Sequence, residues 1–168
     1  MATTFKKITA LLIIATALTG CGSGQSAVTR NFKQVTDGVE AQSNEIRLRH
    51  VLIVKTASGE AVLVGTLVNW SDQTDALTGV SINYLPANFR AQSNQLLKNK
   101  PLIFVGESAN ADAAIPGFGK PAGDRVKVTF SFTNAAPVTV DALIVNDGGI
   151  YENMQRFGNS PVVESTTP

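Results

Sequence analysis

The most regular pattern in the chain is an alternation of apolar and polar residues between positions 124 and 133. The apolar residues of this segment are Val126, Val128, Phe130 and Phe132. A period of two is typical of a β-strand with one buried face. A second segment at 137–145 repeats it with Val138, Val140, Ala142 and Ile144, and the intervening residues 134–136 have hairpin length. The pattern predicts two antiparallel strands.

Other segments have the length and composition of strands. They are residues 45–55, 60–69, 76–84 and 101–106, with a weaker one at 93–97. Residues 61–68 are apolar in both phases, which indicates a strand that is packed on both sides or covered at its edge. No pattern for a helix of three turns follows residue 21. The sequence therefore predicts an all-β domain at residues 45–148, an antiparallel immunoglobulin-like β-sandwich.

The first twenty residues have the pattern of a secretory signal peptide. Two lysines precede an apolar stretch at 8–18 that is too short to span a bilayer as a mature helix. The stretch ends in the lipobox Leu18, Thr19, Gly20 and Cys21, in which small residues admit the peptidase and the thiol receives diacylglycerol. We expect a palmitate- and diacylglycerol-bearing lipoprotein, anchored through Cys21 at the extracytoplasmic face of the cell membrane. The alternative is a chance cysteine in an uncleaved signal.

The segments on either side of the predicted domain are polar. Residues 21–44 are predicted to be a flexible tether between the lipid and the domain, although a short strand near 27–35 is an alternative. Residues 149–168 are predicted to be a polar C-terminal tail.

The longest stretch without a strand pattern, residues 107–123, is a candidate partner-binding loop. Gly, Ala and Pro dominate it, and functional residues often lie in such loops. Ile115 and Phe118 are its candidate anchors, with Lys120 as a charge at the rim. The alternative is that both apolar side chains pack locally and close the end of the sandwich.

Composition acts mainly by excluding functions. A net charge of +1 argues against a nucleic-acid partner, which requires a basic surface. The single cysteine excludes an internal disulfide and a cysteine-rich zinc site. The single histidine argues against a histidine-based metal site and a Ser-His-Asp catalytic triad. His50 lies in the inward phase of its strand, so we expect a core histidine or one turned outward by a bulge. We predict no catalytic residue, no metal site and no cofactor.

Trp70 follows the strand at 60–69. We expect it to close one end of the core, and the alternative is an exposed tryptophan that anchors an interface.

The order of the segments resembles a known family. After the lipobox come Ile46–Ile53, Ala61–Asn69, Asp75–Val80, Ile103–Gly106, a Pro/Gly loop and Val126–Phe132. This order resembles the LpqE type of actinobacterial cell-envelope lipoprotein over most of residues 18–145. That group is similar in fold to the PCuAC-type periplasmic copper chaperones, which have a cupredoxin-like sandwich. The resemblance implies the fold and the location. The copper motif of paired His and Met residues does not carry over, because the mature chain offers only His50 and Met154.

These observations favour a non-enzymatic, lipid-anchored β-sandwich that binds a protein or a lipid of the cell envelope. The first alternative is a divergent copper or metal-trafficking chaperone that has lost most of its His and Met ligands. The second is an enzyme whose site the sequence does not reveal.

Overall fold

The fold is given by a computed structural model that describes residues 37–158. This part of the chain forms eleven β-strands, no α-helix and one short 3-10 helix at Gly149–Tyr151. The strands are β1 (Val39–Ser43), β2 (Ile46–Lys55), β3 (Ala61–Asn69), β4 (Asp75–Ile82), β5 (Leu85–Pro86), β6 (Asn88–Ala91), β7 (Gln95–Leu96), β8 (Leu102–Ile103), β9 (Ala111–Ile115), β10 (Arg125–Phe132) and β11 (Val138–Asn146).

The strands pair in the order β5-β4-β10-β11-β2-β3-β9-β6, with β1 on β2, β7 on β4 and β8 on β3. All of these pairs are antiparallel except β11 with β2. The two halves of the array face each other across one apolar core, to which both β10 and β3 contribute. The predicted all-β, cupredoxin-like sandwich is confirmed.

The alternation in β10 separates a buried face from a wet one, as predicted. Its four apolar side chains are buried, and Phe130 is fully inaccessible. On the outer face Thr129 lies opposite Thr139 of β11, and their hydroxyl oxygens are 2.8 Å apart. The register of the hairpin therefore puts apolar pairs such as Val128 and Val140 inside, and the polar pairs Thr129–Thr139 and Lys127–Asp141 outside.

The central strands β2 and β3 are buried on both faces. Val51, Ile53 and Leu63 point into the main core. On the opposite face Leu52, Val54 and Val64 form a second cluster. It is covered by Tyr151 and Met154, which belong to the C-terminal segment that follows β11. The prediction that residues 61–68 form a strand packed on both sides is confirmed. The C-terminal segment covers the second face.

The structure corrects three segment boundaries. The tether prediction of 21–44 is wrong at its end, because Val39–Ser43 pairs with β2. The tail prediction of 149–168 is wrong at its start, because Tyr151 is buried. The loop prediction of 107–123 is wrong at Ala111–Ile115, which forms β9 between β3 and β6. Residues 21–36 of the predicted tether and residues 159–168 of the predicted tail lie outside the described residues.

We expect Phe130→Ala to lower the free energy of unfolding by about 3–5 kcal/mol, the usual effect of truncating a buried phenylalanine. The matched control is Thr129→Ala on the outer face of the same strand, which should cost less than about 1 kcal/mol. Chemical denaturation followed by circular dichroism measures both. Equal losses for the two variants would mean that the faces of β10 are reversed.

Candidate functional site

The side chains predicted to anchor a partner in the 107–123 loop are not exposed. Ile115 ends β9 with 8% of its surface exposed, and Phe118 is 6% exposed, both within the main core. The Lys120 carbonyl accepts a hydrogen bond from Lys55 Nζ at 3.0 Å. These positions match the alternative in which the apolar side chains close the core.

The only histidine lies at a bulge in β2. Its backbone has a φ of 53°, and the pairing of β2 with β3 shifts register between Arg49 and Leu52. His50 Nε2 lies 3.1 Å from the Tyr151 hydroxyl oxygen. Gly38 lies so close to His50 that a Cβ added at Gly38 would be 2.6 Å from the His50 backbone carbon. Burial and the charge of Asp37 raise the pKa of Tyr151. The histidine therefore joins the C-terminal segment to the strand.

A partly buried ionic cluster holds the same C-terminal segment in place. Arg156 donates from Nη1 to Glu60 at 2.6 Å and from Nε to Asp112 at 2.8 Å, and Arg90 also binds Asp112 at 3.1 Å. Burial alone would lower the pKa of Arg156, but the hydrogen bonds and charges of both carboxylates raise it above its ordinary value. These groups are mutually compensated, so they do not present a reactive acid or base.

The end of the sandwich between β3 and β4 contains an open cleft of about 340 Å³. It lies where the β1–β2 turn, the β3–β4 turn and the β10–β11 loop meet. Eight of its ten lining residues have a hydroxyl, amide or carboxylate side chain, and the ten are Asn44, Glu45, Ile46, Asn69, Ser71, Gln73, Thr74, Asp75, Asn134 and Ala135. This volume is at the lower end of the range for small-molecule sites.

Two buried polar side chains hold the loops of this cleft. Asn69 Nδ2 donates to the carbonyls of Gln73 and Leu96 at 2.8 Å, while its Oδ1 accepts from Ser71 N at 2.9 Å. The Asp75 carboxylate accepts backbone N–H groups of Ala76 and of residues 133–135 at 2.7–3.1 Å. The cleft therefore has a floor with satisfied hydrogen bonds.

Asp75 stays ionised although it is buried. Burial alone would raise its pKa, but the N–H donors of Asn134, Ala135, Ala76 and Thr133 lower it below the ordinary aspartate value. Four oriented donors favour the charged form because they compensate the loss of water.

Trp70 lies in the chain between the lining residues Asn69 and Ser71, but it is not itself one of the residues that line the cleft. Its backbone N–H donates to the Glu45 carbonyl at 3.0 Å, and the Arg47 guanidinium carbon lies 3.5 Å from its ring centroid. The side chain is still 49% exposed. Of the two sequence alternatives, the structure shows the exposed tryptophan. The role of Arg47 was missed, and its only sequence signal is its outward phase in β2.

The remaining candidate residues and absences concern limited parts of the chain. Leu18, Thr19, Gly20 and Cys21 lie outside the described residues. Within residues 37–158, no three His, Cys, Asp or Glu side chains come together as a metal site. Over the same residues, no helix has the length and apolarity needed to cross a membrane.

The chain is similar to mycobacterial lipoproteins. A Mycobacterium tuberculosis protein named "Putative lipoprotein LpqE" is 30% identical over 134 residues, which cover 75% of this chain and 71% of that protein. Its counterpart in Mycobacterium bovis gives the same values. No family model matches the chain. The resemblance in segment order is thereby confirmed.

Solved structures of PCuAC domains have the same fold. A copper-bound PCuAC domain from PmoF2 is 22% identical, with a TM-score of 0.53, and the alignment covers 64% of this chain and 97% of that domain. The apo form of the PmoF2 domain is 20% identical with a TM-score of 0.55, covering 66% and 97%. At these identities the likeness establishes the fold alone.

We expect Asp75→Asn to lower the free energy of unfolding at pH 7 by about 1.5–3 kcal/mol, the range for one hydrogen bond to a charged group. Because its pKa is lowered on folding, Asp75 stabilises the native state above the ordinary aspartate pKa of about 3.9. That contribution is lost as pH falls through the lower folded value.

The measurement is denaturant unfolding between about pH 2 and pH 7. Asp72→Asn is the matched control, since that side chain is 84% exposed and forms an ion pair with Lys98, which is itself partly exposed. A variant at position 75 that keeps the wild-type stability at pH 7 would contradict the assignment.

Proposed function

Because this chain belongs to the LpqE family of lipoproteins, we propose that it is a lipid-anchored, non-enzymatic binding protein of the cell envelope. The Cys21 thioether holds it at the extracytoplasmic face of the cell membrane, and the β-sandwich binds a protein or a lipid of the envelope. The observation that carries the binding role is the exposed Trp70, whose ring stacks on Arg47.

The Trp70 end of the sandwich supports binding better than the 107–123 loop does. Tryptophan and arginine are the side chains most enriched among residues that dominate binding energy. Trp70 has both a hydrogen-bonded backbone and a stacked partner, so little conformational entropy is lost when a ligand covers it. Ile115 and Phe118 would first have to leave the core.

The non-enzymatic part of the proposal rests on how the polar groups are used. His50 is engaged with Tyr151, Asp112 is paired with two arginines, and Asp75 accepts backbone donors. A catalytic acid, base or nucleophile must instead be free to meet a substrate.

Copper trafficking, the function that the PCuAC names suggest, has less support from the residues. Cu(I) is held by several soft thiolate, thioether or imidazole ligands. The whole chain has one histidine and two methionines, one of which is the initiator. His50 Nε2 is within hydrogen-bonding distance of Tyr151, and Met154 packs against an apolar cluster. These residues do not fit a copper site.

The lipid anchor predicts that Cys21→Ala leaves an unlipidated protein, because no other thiol can form the thioether. Detergent phase partition and intact mass measure the outcome. The matched control is Ser23→Ala, two residues away, which should be processed and lipidated normally. A position 21 variant that still partitions into detergent with a normally processed mass would show that the lipobox interpretation is wrong.

The binding role predicts that Trp70→Ala reduces capture of envelope components about ten-fold or more, the effect of losing a residue that dominates an interface. Tyr84→Ala is the matched control, since Tyr84 is 79% exposed and lies beyond the opposite end of β4. Quantitative pull-down from solubilised envelope compares both with wild type. Equal capture by all three would exclude the Trp70 end as the binding surface.

A further inference from the structure

The outer face of the central strands β2 and β3 is covered by the C-terminal segment over only part of its length. That segment packs on Val64. Thr66 and Val68 follow in the same phase of β3 and are only partly buried, and Trp70 continues the phase with half of its surface exposed. Ile103 of β8 pairs with Thr66 and is also partly buried. A partly apolar surface of the sheet therefore remains accessible around Trp70.

Arg47 adds a cation to this surface. It pairs with Val68 in the register of β2 and β3, and its guanidinium carbon is 3.5 Å from the Trp70 ring centroid. Within residues 37–158 Arg47 forms no ion pair, and its Nε is buried without a hydrogen-bond partner. A guanidinium that stacks on an aromatic ring keeps its N–H edge for a phosphate. We refer to this surface as the Trp70 face, and it consists of Arg47, Thr66, Val68, Trp70 and Ile103.

The other charges around the Trp70 face nearly cancel. Four of them form two ion pairs, which are Arg49 with Glu40 and Lys98 with Asp72. Glu45, whose carbonyl oxygen accepts the Trp70 N–H, has an unpaired carboxylate within the described chain, and Lys100 is an unpaired cation in the turn that bonds to the backbone before Trp70. Together with Arg47 they leave an excess of one positive charge. The attraction for a phosphate is therefore local and centred on the stacked guanidinium.

A phospholipid surface offers the groups that the Trp70 face can accept. Tryptophan is enriched at the boundary between headgroups and acyl chains, where its ring has apolar surroundings and its N–H reaches water. Phosphates lie beside this boundary, within reach of an arginine. Val68 and Ile103 add apolar surface on the same side of the sheet. Protein interfaces also use tryptophan and arginine, so the choice between the two occupants depends on where the domain is held.

The anchor favours the membrane as the occupant. Residues 21–36 lie between the anchor at Cys21 and the described domain, and sixteen residues reach at most about 55 Å. From there β1 runs toward the Trp70 end, since its last residue, Ser43, pairs with Ile46, which in turn pairs with Asn69. The Trp70 face is thus always within reach of the bilayer. Such a tether makes a contact effective even when it is too weak to hold two free molecules together.

We propose that the domain rests on the phospholipid surface of its own membrane through the Trp70 face, with the Trp70 indole between the headgroups and Arg47 on a phosphate. The inference rests on the proposed function and narrows the partner to the lipid bilayer. A protein that covers the same face is the competing occupant, and the experiment distinguishes the two.

The chain supplies its own reporter, because Trp70 is its only tryptophan. The lipidated protein is added to vesicles of phosphatidylcholine and phosphatidylglycerol, with or without bromine atoms near the glycerol end of the acyl chains. Bromine quenches tryptophan emission only at close range. Because interfacial side chains lie about 5–10 Å deep at this boundary, we expect brominated lipid to lower Trp70 emission about two-fold or more. Sedimentation of the protein with the vesicles reports the anchor separately.

Two further variants test the orientation of the domain and the role of the guanidinium. Trp70→Phe combined with Tyr84→Trp moves the reporter to an exposed position beyond the opposite end of β4, where brominated lipid should have little effect. Arg47→Gln should reduce the quenching of Trp70 by about half or more. Its matched control is Arg125→Gln, at an exposed position of β10, which should leave the quenching unchanged. Circular dichroism verifies that each variant is folded.

Trp70 emission that is unquenched in protein that sediments with the vesicles would overturn the inference. Equal quenching of the reporters at positions 70 and 84 would overturn it as well, because the domain would then have no preferred side. If Trp70 is unquenched while envelope capture still depends on it, the face belongs to a protein partner and the proposed binding role stands. Protein that does not sediment with the vesicles would overturn the anchor together with the membrane contact.

Discussion

The fold depends on covering β2 and β3 with apolar side chains on two faces. Successive side chains of a strand point to opposite sides, so a pair that is apolar in both phases cannot be satisfied by one opposing layer. The main core covers Ile53 and Leu63, and the C-terminal segment covers Leu52 and Val64 through Tyr151. Each such burial contributes about 1.5–3 kcal/mol. The segment after β11 is therefore part of the domain.

The ionic cluster of Arg156 fixes where that segment lies. Buried ion pairs add little net stability, because desolvation offsets their attraction, but breaking one leaves an uncompensated charge. Arg156 reaches Glu60 just before β3 and Asp112 in β9, while its backbone forms a bridge with Val105. A shift of the segment along the sheet would separate these charges. The apolar cover thus supplies the stability and the cluster supplies the register.

This dependence explains which elements the sequence could predict. The β10–β11 hairpin and the central pair carry their burial in local patterns, and those strands were predicted to within about two residues. In β9 the five residues from Ala111 to Ile115 are all buried and do not alternate, and Asp112 is charged. It is tolerated there because Arg90 and Arg156 compensate it from distant parts of the sequence. No local pattern can reveal such a partnership.

The two candidate binding surfaces differ in whether the fold leaves their apolar side chains exposed. The 107–123 loop is a candidate binding loop in the sequence because it has apolar side chains among Gly and Pro. In the fold Phe118 is buried, since removing its ring from water is favourable. The sequence does not decide whether Trp70 is buried or exposed, because its position depends on the pairing of Arg47 with Val68. That pairing places the guanidinium near the ring. The turns around Trp70 are held by Asn69 and Asp75 before any ligand arrives. A ligand there meets an ordered surface and loses less free energy to ordering it.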